Sequence, residues 1–274
     1  MSKQFLKLIK KLKIPTVTGW NAHDLISNDN KYYSGKPGTV GDRPGNFTVQ
    51  NSDLLIILGC RLNIRQISYN WKEFAPKAFK IMVDIDQAEL DKPTLKIDHK
   101  IKADLKTFIP LFIQKIQDLS YTSSKDHKKY LMWCKERVIE YPVMLPEYIN
   151  TKNKKINPYA FTDELFNLLD KDDVVITGNG SACVITFQAA KIKQGQRLYT
   201  NSGSASMGYD LPASIGAAIA MNGKRIICLA GDGSLMMNLQ ELQTMQGYNL
   251  PIKVFILNNE GYVSIKQTQE AYFS

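Results

Sequence analysis

The 274-residue sequence has no long apolar run and few of the residues that usually build metal clusters. No hydrophobic stretch approaches the roughly 18 consecutive apolar residues that a membrane span requires. The first residues, MSKQFLKLIKKLKI, lack the continuous apolar core of a secretory signal. The three histidines are far apart and show no zinc-ligand spacing, and the four cysteines form no CxxC pair. We therefore expect buried, reduced thiols in a cytoplasmic protein.

The charge pattern argues against nucleic-acid and membrane partners. The net charge is +9, but the lysines are scattered along the chain and form no basic stripe interleaved with aromatic residues. Residues 3–13 predict a basic amphipathic helix. Such a helix can lie on a membrane, but it is more often a surface helix of a soluble protein, which is the interpretation we prefer. Apolar residues make up 44% of the chain, as in ordinary globular proteins.

Alternating strand and helix patterns predict an α/β protein with two domains. Apolar runs at 54–59 and 79–83 predict the buried parallel strands of the first, and runs at 174–178, 225–230 and 252–258 those of the second. We expect each domain to be a parallel sheet in a three-layer α/β/α arrangement, Rossmann-like in the first. The predicted divisions are a first domain at 1–118, a linker at 119–156 with its boundary near Asn150, and a second domain at 157–274.

The motif that carries chemistry follows the strand at 225–230. It reads Gly231-Asp232-Gly233-Ser234, and Asn258-Asn259 follows 24 residues later, after the next strand. Parallel strands present ligands at their carboxyl ends, so Asp232 and Asn259 are predicted to face one ion. Carboxylate, amide and carbonyl oxygens together with phosphate oxygens suit Mg²⁺.

Gly231 and Gly233 have no Cβ, so the backbone can bend tightly there and approach a ligand closely. The N-terminus of the next helix favours an anionic group. We expect Ser234 to cap that helix, near 235–247. Its apolar repeat predicts a buried face. That repeat consists of Leu235, Leu239, Leu242 and Met245.

The segment GDGSLMMNLQELQTMQGYNLPIKVFILNNEGY (231–262) resembles the thiamine diphosphate-dependent enzymes, in particular the acetolactate synthase-like group. The resemblance implies that Asp232, the side chain of Asn259 and the carbonyl of Gly261 bind Mg²⁺. Two further segments, GNGSA (178–182) and NSGSASMGYDLPASIGAAIA (201–220), match as well. The residues thus implied to bind the cofactor are Asn179, Gly180, Ser181, Ala182, Ala205, Met207, Gly231, Asp232, Gly233, Ser234, Asn259, Gly261 and Tyr262.

Within this set the resemblance gives catalytic roles to Met207 and Ala205. Met207 takes the position of the bulky apolar residue that bends the cofactor into a V, although a plain core methionine is the alternative. The carbonyl of Ala205 is expected to receive the cofactor's 4′-amino group. The stretch after the metal ligands is expected to line the substrate pocket, with Ile265 and Gln269 as candidates and a surface helix as the alternative.

The first domain is similar to the central domain of the same family, through SDLLIILGCRLN (52–63) and KIMVDIDQAEL (80–90). In acetolactate synthases that domain holds FAD, and Arg61, Asp84 and Asp86 fall where a dinucleotide could bind. No GxGxxG motif is present and many relatives use no flavin. A purely structural domain is therefore the default expectation, with FAD as the alternative.

The resemblance covers nearly the whole chain but about half of a full enzyme of this family. The pyrimidine-binding domain, with its catalytic glutamate, has no counterpart, and Glu241 and Glu260 lie in the wrong elements. We therefore expect a fragment that is inactive alone and belongs to an oligomeric lyase or transferase acting on a 2-oxo acid. One alternative is a non-catalytic chain, or a subunit that needs a separate pyrimidine-binding partner. Another is a nucleotide-binding module with a degenerate Rossmann pattern.

Overall fold

The computed structural model describes residues 2–149 and 155–273, which divide into two compact units at 143/144. The boundary predicted near Asn150 lies outside the described residues. Unit 1 contains helices α1 (Ser2–Leu12), α2 (Arg43–Gln50), α3 (Ile64–Ile67), α4 (Gln87–Asp91), α5 (Leu105–Asp118) and α6 (Lys125–Glu140) and strands β1 (Leu54–Leu58), β2 (Phe79–Asp84) and β3 (His99–Lys102). Its short 3₁₀ turns are Trp20–Leu25 and Trp71–Glu73.

Unit 1 is built on a parallel sheet in the order β1-β2-β3. Helix α1 packs against α5, where Leu8 joins a buried cluster with Ile109 and Ile113. The apolar face of α1 is therefore part of the core, and its lysines are exposed. This packing favours the surface-helix interpretation over a membrane-bound helix. Within residues 2–149 and 155–273, no helix combines the length and hydropathy needed to cross a bilayer.

Most of the predicted linker, 119–156, differs in the structure. Its helix α6 packs on α2, with Cys134 fully buried and the Tyr130 hydroxyl donating to the Thr48 carbonyl at 2.5 Å. The Arg43 guanidinium lies 4.4 Å from the centre of the Tyr141 ring. Residues 125–140 therefore belong to unit 1. The polar outer face of α6 resembles a linker in the sequence, because the apolar contacts that hold it are distant along the chain.

A glycine-rich turn of unit 1 encloses the buried pair Lys36 and Asp42. One Asp42 oxygen accepts from the backbone N–H of Lys36 at 2.9 Å and of Gly45 at 2.7 Å. A Cβ at Gly45 would lie 2.5 Å from the Lys36 nitrogen, so only glycine allows this approach. Burial lowers the pKa of the Lys36 amine to about 8, because desolvation disfavours the charged form.

Unit 1 is therefore expected to gain stability, relative to a Lys36→Met variant, as the pH rises from 8 towards 10.5. In that range the folded lysine is neutral while the unfolded one still holds its proton, so unfolding takes up a proton. The full gain is up to about 3 kcal/mol, of which about 2 kcal/mol falls between pH 7.5 and 9.5. The three tryptophans all lie in unit 1, so urea unfolding followed by their fluorescence at pH 7.5 and 9.5 measures it. Cys60 and Cys134, whose pKa values burial raises, oppose this trend equally in both variants. Identical pH dependence in both would contradict the prediction.

Unit 2 contains helices α7 (Pro158–Leu168), α8 (Gly180–Ala189), α9 (Asp210–Ala220), α10 (Asp232–Leu235), α11 (Glu241–Gly247) and α12 (Val263–Phe273). Its strands are β4 (Val174–Thr177), β5 (Arg197–Thr200), β6 (Ile226–Gly231) and β7 (Ile252–Leu257), and 3₁₀ turns lie at Pro146–Tyr148 and Met236–Asn238. The strands form one parallel sheet in the order β5-β4-β6-β7. Because Gly231 pairs with Leu257, the loops after β6 and β7 begin side by side.

The helical segment after β6 departs from the prediction. It begins at Asp232, passes through the 3₁₀ turn and continues as α11. Leu235 is buried and Met245 packs against the same core cluster, but Leu239 is 42% exposed and Leu242 is 40% exposed, so the predicted buried face is wrong at those two positions. Ser234 does not cap the helix either, since its hydroxyl is used in the bonds described below. The apolar repeat alone could not reveal which neighbours cover it.

Candidate functional site

Three oxygen-bearing groups meet where β6 and β7 end. The Asp232 carboxylate accepts from the Gly261 N–H at 2.8 Å through Oδ2 and from the Gly233 N–H at 3.0 Å through Oδ1. The side-chain amide of Asn259 reaches both neighbours, and with its NH₂ group turned toward them it donates to Asp232 Oδ1 at 3.3 Å and to the Gly261 carbonyl oxygen at 2.6 Å. In the reverse orientation the amide oxygen faces the same two oxygens, as it would around a shared cation. The structure thus brings together all three groups that the sequence predicts as metal ligands.

The loop after β7 assigns different tasks to its two asparagines. The side chain of Asn258 accepts from the Glu260 N–H at 2.9 Å and so shapes the turn. Asn259, next in the chain, faces Asp232 instead. Gly261 has a φ of +113°, a conformation that favours glycine, and this turns its N–H toward the Asp232 carboxylate.

Tyr262 covers the first turn after β6. A Cβ at Gly233 would lie 2.5 Å from Cε1 of the Tyr262 ring, so the ring rests directly on the glycine backbone. Tyr262 remains 40% exposed. We call the group of Asp232, Asn259 and Gly261 the Asp232 cluster. Beside it lie Gly231, Gly233 and Tyr262, which the sequence predicts to contact the cofactor.

The loop at 205–208 is held from two sides. On one side, Asn179 donates from its side-chain amide to the carbonyl of Ala205, whose φ is +52°. On the other, Gly208 donates its N–H to Ser234 Oγ at 2.9 Å and accepts from Asn238 Nδ2 at 2.7 Å. Met207, between these anchors, is 37% exposed and so is not a core methionine. The Ala205 carbonyl predicted to receive a cofactor amino group keeps a second lone pair beside its bond to Asn179.

The turn at 178–182 leads from β4 into α8. Asn179 is the residue before the helix, and its side chain makes no capping bond because it is directed to Ala205. Gly180 has a φ of +56°, Ser181 is exposed and Ala182 is buried. The first N–H groups of a helix have no partner within it and carry partial positive charge, which suits an anionic group.

Asp210 is a buried group that the sequence analysis did not single out. It is fully buried at the start of α9, and its Oδ2 accepts from the Ser234 hydroxyl at 2.5 Å. Burial is the main cause that raises the pKa of this carboxyl, and its hydrogen bonds to Ser234 and to the Leu211 N–H counteract the rise. An acidic residue opening a helix of small residues was the one available signal, but it equally suits an exposed first turn.

The predicted substrate residues are not drawn into the cluster. Ile265 is 49% exposed on α12, Gln269 is also exposed, and no described residue of that helix is buried. Among residues 2–149 and 155–273, no three His, Cys, Asp or Glu side chains are grouped to hold a metal. The cluster at Asp232 has one carboxylate and takes its other oxygens from an amide and the backbone.

In unit 1, the residues proposed for a dinucleotide lie at the carboxyl ends of β1 and β2, and each is engaged by the protein. Asp84 accepts from the Asp86 N–H at 3.0 Å, and Asp86 caps α4 through the Ala88 N–H at 2.9 Å. Arg61 binds Glu89 at 2.5 Å. Arg61 and Asp84 also line an open cleft at this edge of the sheet, together with Gly59 and Leu105.

Comparison with known proteins identifies both halves. Residues 1–112 match the model "Thiamine pyrophosphate enzyme, central domain", and residues 178–274 match "Thiamine pyrophosphate enzyme, C-terminal TPP binding domain". Together the two models span most of the chain, and they agree with the mixed α/β fold of two parallel sheets. The sequence prediction of fold and family is confirmed.

Several curated relatives are named as large subunits of acetolactate synthase. The chain is 36% identical over 267 residues to the acetolactate synthase large subunit of Cyanidium caldarium, covering 96% of this chain and 44% of that protein. It is 32% identical over 273 residues to that of Pyropia yezoensis (99% and 45%). It is 30% identical over 268 residues to acetolactate synthase isozyme 1 large subunit of Escherichia coli strain K12 (97% and 45%). The chain spans less than half the length of these relatives.

Proposed function

Because the chain belongs to the thiamine pyrophosphate enzymes, we propose that unit 2 binds thiamine diphosphate through Mg²⁺ held by Asp232, Asn259 and the Gly261 carbonyl. The convergence of the three oxygens supports this proposal most directly. The Asn259 amide can satisfy both other oxygens by turning its NH₂ group toward them, and it can turn its oxygen to an ion instead, so the three groups can share one cation. Mg²⁺ prefers hard oxygen ligands and completes its shell with phosphate oxygens and water, so this donor set fits it.

The neighbouring segments would hold the rest of the cofactor. The N–H groups of Gly180, Ser181 and Ala182 suit the diphosphate, which carries the charge that a helix N-terminus favours. Asn179 and Ser234 anchor the loop that places Met207 and the Ala205 carbonyl. Tyr262 on Gly233 would cover one side of the site.

We further propose that the complete protein decarboxylates a 2-oxo acid or ligates its remainder to a second carbonyl compound. When bound, the cofactor supplies an electron sink for the carbon–carbon bond that breaks. This chain's residues bind, orient and shield it. Glu260 is exposed and forms a surface ion pair with Lys155 at 3.2 Å. The catalytic acid would come from outside the described residues, in a homodimer or tetramer or from a separate chain. Ile265 and Gln269 remain the proposed substrate contacts.

Calorimetry on the 274-residue chain tests the binding proposal. We expect thiamine diphosphate to bind in the presence of Mg²⁺ and to bind at least about tenfold more weakly in EDTA, since the ion neutralises the diphosphate. NAD should not bind, whereas the nucleotide-module alternative requires that it does. Binding that ignores EDTA, or none at all with Mg²⁺, would overturn the proposal. We expect no turnover of pyruvate by this chain alone.

A further inference from the structure

Three segments of the proposed site meet at one buried carboxylate. Asp210 is fully buried, and its two oxygens accept from different partners. Oδ2 accepts from the Ser234 hydroxyl at 2.5 Å, and Oδ1 accepts from the Leu211 N–H at 3.0 Å. On the other side, a Cβ at Gly178 would lie 2.1 Å from Oδ2. The carboxylate therefore touches the segment before α8, the start of α9 and the turn after β6.

The hydroxyl of Ser234 links this carboxylate to the Met207 loop. Ser234 Oγ accepts from the Gly208 N–H at 2.9 Å, so its single proton is directed to Asp210. The bond chain thus runs from Gly208 through Ser234 to Asp210. Gly208 adjoins Met207, and Ser234 is two residues after Asp232. These hydrogen bonds therefore connect the loop at 205–208 with the turn that carries the proposed metal ligand Asp232.

Burying a carboxylate is costly unless its oxygens accept hydrogen bonds. The cost is offset here because both oxygens accept hydrogen bonds. Asparagine has the same shape but only one accepting oxygen. If that oxygen keeps the Leu211 N–H, the NH₂ group faces Ser234 Oγ and competes there with the Gly208 N–H, so the charge-assisted bond that takes up the Ser234 proton is lost.

We propose that Asp210 is a positioning residue, which through Ser234 holds Gly208, and hence Met207, at a fixed place relative to the Asp232 cluster. The expected effect on cofactor binding rests on the proposed function, whereas the hydrogen bonds that hold Gly208 do not. Loss of the carboxylate frees the Met207 loop, so the cofactor must then order that loop on binding and its affinity falls.

The experiment uses the whole chain and compares Asp210→Asn with Ser214→Ala. The Ser214 hydroxyl donates to the Asp210 backbone carbonyl at 2.7 Å, so its loss removes a buried hydrogen bond at the same residue and leaves the carboxylate intact. The first readout is the exchange rate of the Gly208 amide with glycine-only ¹⁵N labelling. The second is the dissociation constant of thiamine diphosphate with Mg²⁺. The third is the melting temperature.

Asp210→Asn should speed Gly208 exchange and weaken cofactor binding, each by about tenfold, the size of one lost hydrogen bond. Ser214→Ala should lower the melting temperature and leave both other readouts within about twofold. Ser234→Ala breaks the same bond chain from the other end and should reproduce the exchange and binding changes. It decides the matter if Asp210→Asn does not fold.

Unchanged Gly208 exchange in both Asp210→Asn and Ser234→Ala overturns the inference. So does a Ser214→Ala variant that weakens cofactor binding as much as Asp210→Asn does, because the effect would then be general destabilisation. If the wild-type chain does not bind the cofactor, the proposed function fails, and Gly208 exchange still decides whether Asp210 holds the loop.

Discussion

Replacing Asp232 with asparagine is expected to weaken Mg²⁺-dependent binding of thiamine diphosphate by about 100-fold or more. The change removes the single carboxylate of the cluster, and with it the negative charge that a divalent ion requires. The asparagine oxygen can still accept from the Gly261 N–H, which the carboxylate holds at 2.8 Å, so the loop after β7 should keep its shape. Calorimetry at saturating Mg²⁺ measures the affinity, and circular dichroism checks the fold.

The matched control is Glu164→Gln, which removes one negative charge from an exposed position of α7 in the same unit. Its affinity for the cofactor should stay within about twofold of the wild type, because exposed charges are screened by salt. If both variants lose affinity equally, the effect is one of net charge. If Asp232→Asn binds as the wild type does, Asp232 is not a metal ligand.

The position of Asp232 beside Asn259 could be predicted because it depends on local rules. Two apolar runs separated by one helix give neighbouring parallel strands, and parallel strands end at the same edge of a sheet. The structure follows this logic, with β6 paired to β7 up to Gly231 and Leu257. The glycines of the motif add the close approaches that the two loops need.

Features that depend on distant contacts could not be predicted. Asp210 and Ser234 are 24 residues apart, and only the packing of α9 against β6 brings them together. The same reason explains why α6 resembled a linker and why Leu239 was expected to be buried.

Gly178→Ala is expected to destabilise unit 2 by about 3 kcal/mol or more, the upper range for overpacking a core. Gly178 continues β4, with its N–H bonded to the Leu229 carbonyl at 2.9 Å, so its backbone cannot move freely. The new methyl group would meet Asp210 Oδ2 at 2.1 Å, and Asp210 is fully buried between its own partners. Hydrogen exchange of peptides from β4 and β6, read by mass spectrometry, reports the stability of this unit.

Gly216→Ala provides the matched control, because the same methyl group added there, in the middle of α9, finds nothing within 4 Å. Alanine favours a helix over glycine, so this variant should be neutral or more stable by about 0.5–1 kcal/mol. The clash also predicts its own rescue. In the double variant Gly178→Ala/Asp210→Ala the carboxylate is gone. The free energy that Gly178→Ala costs should therefore be smaller in the Asp210→Ala background than in the wild type, as expected for interacting neighbours. If the two costs simply add, the strain at Gly178 comes from elsewhere, and the carboxylate is not what requires a glycine at the end of β4.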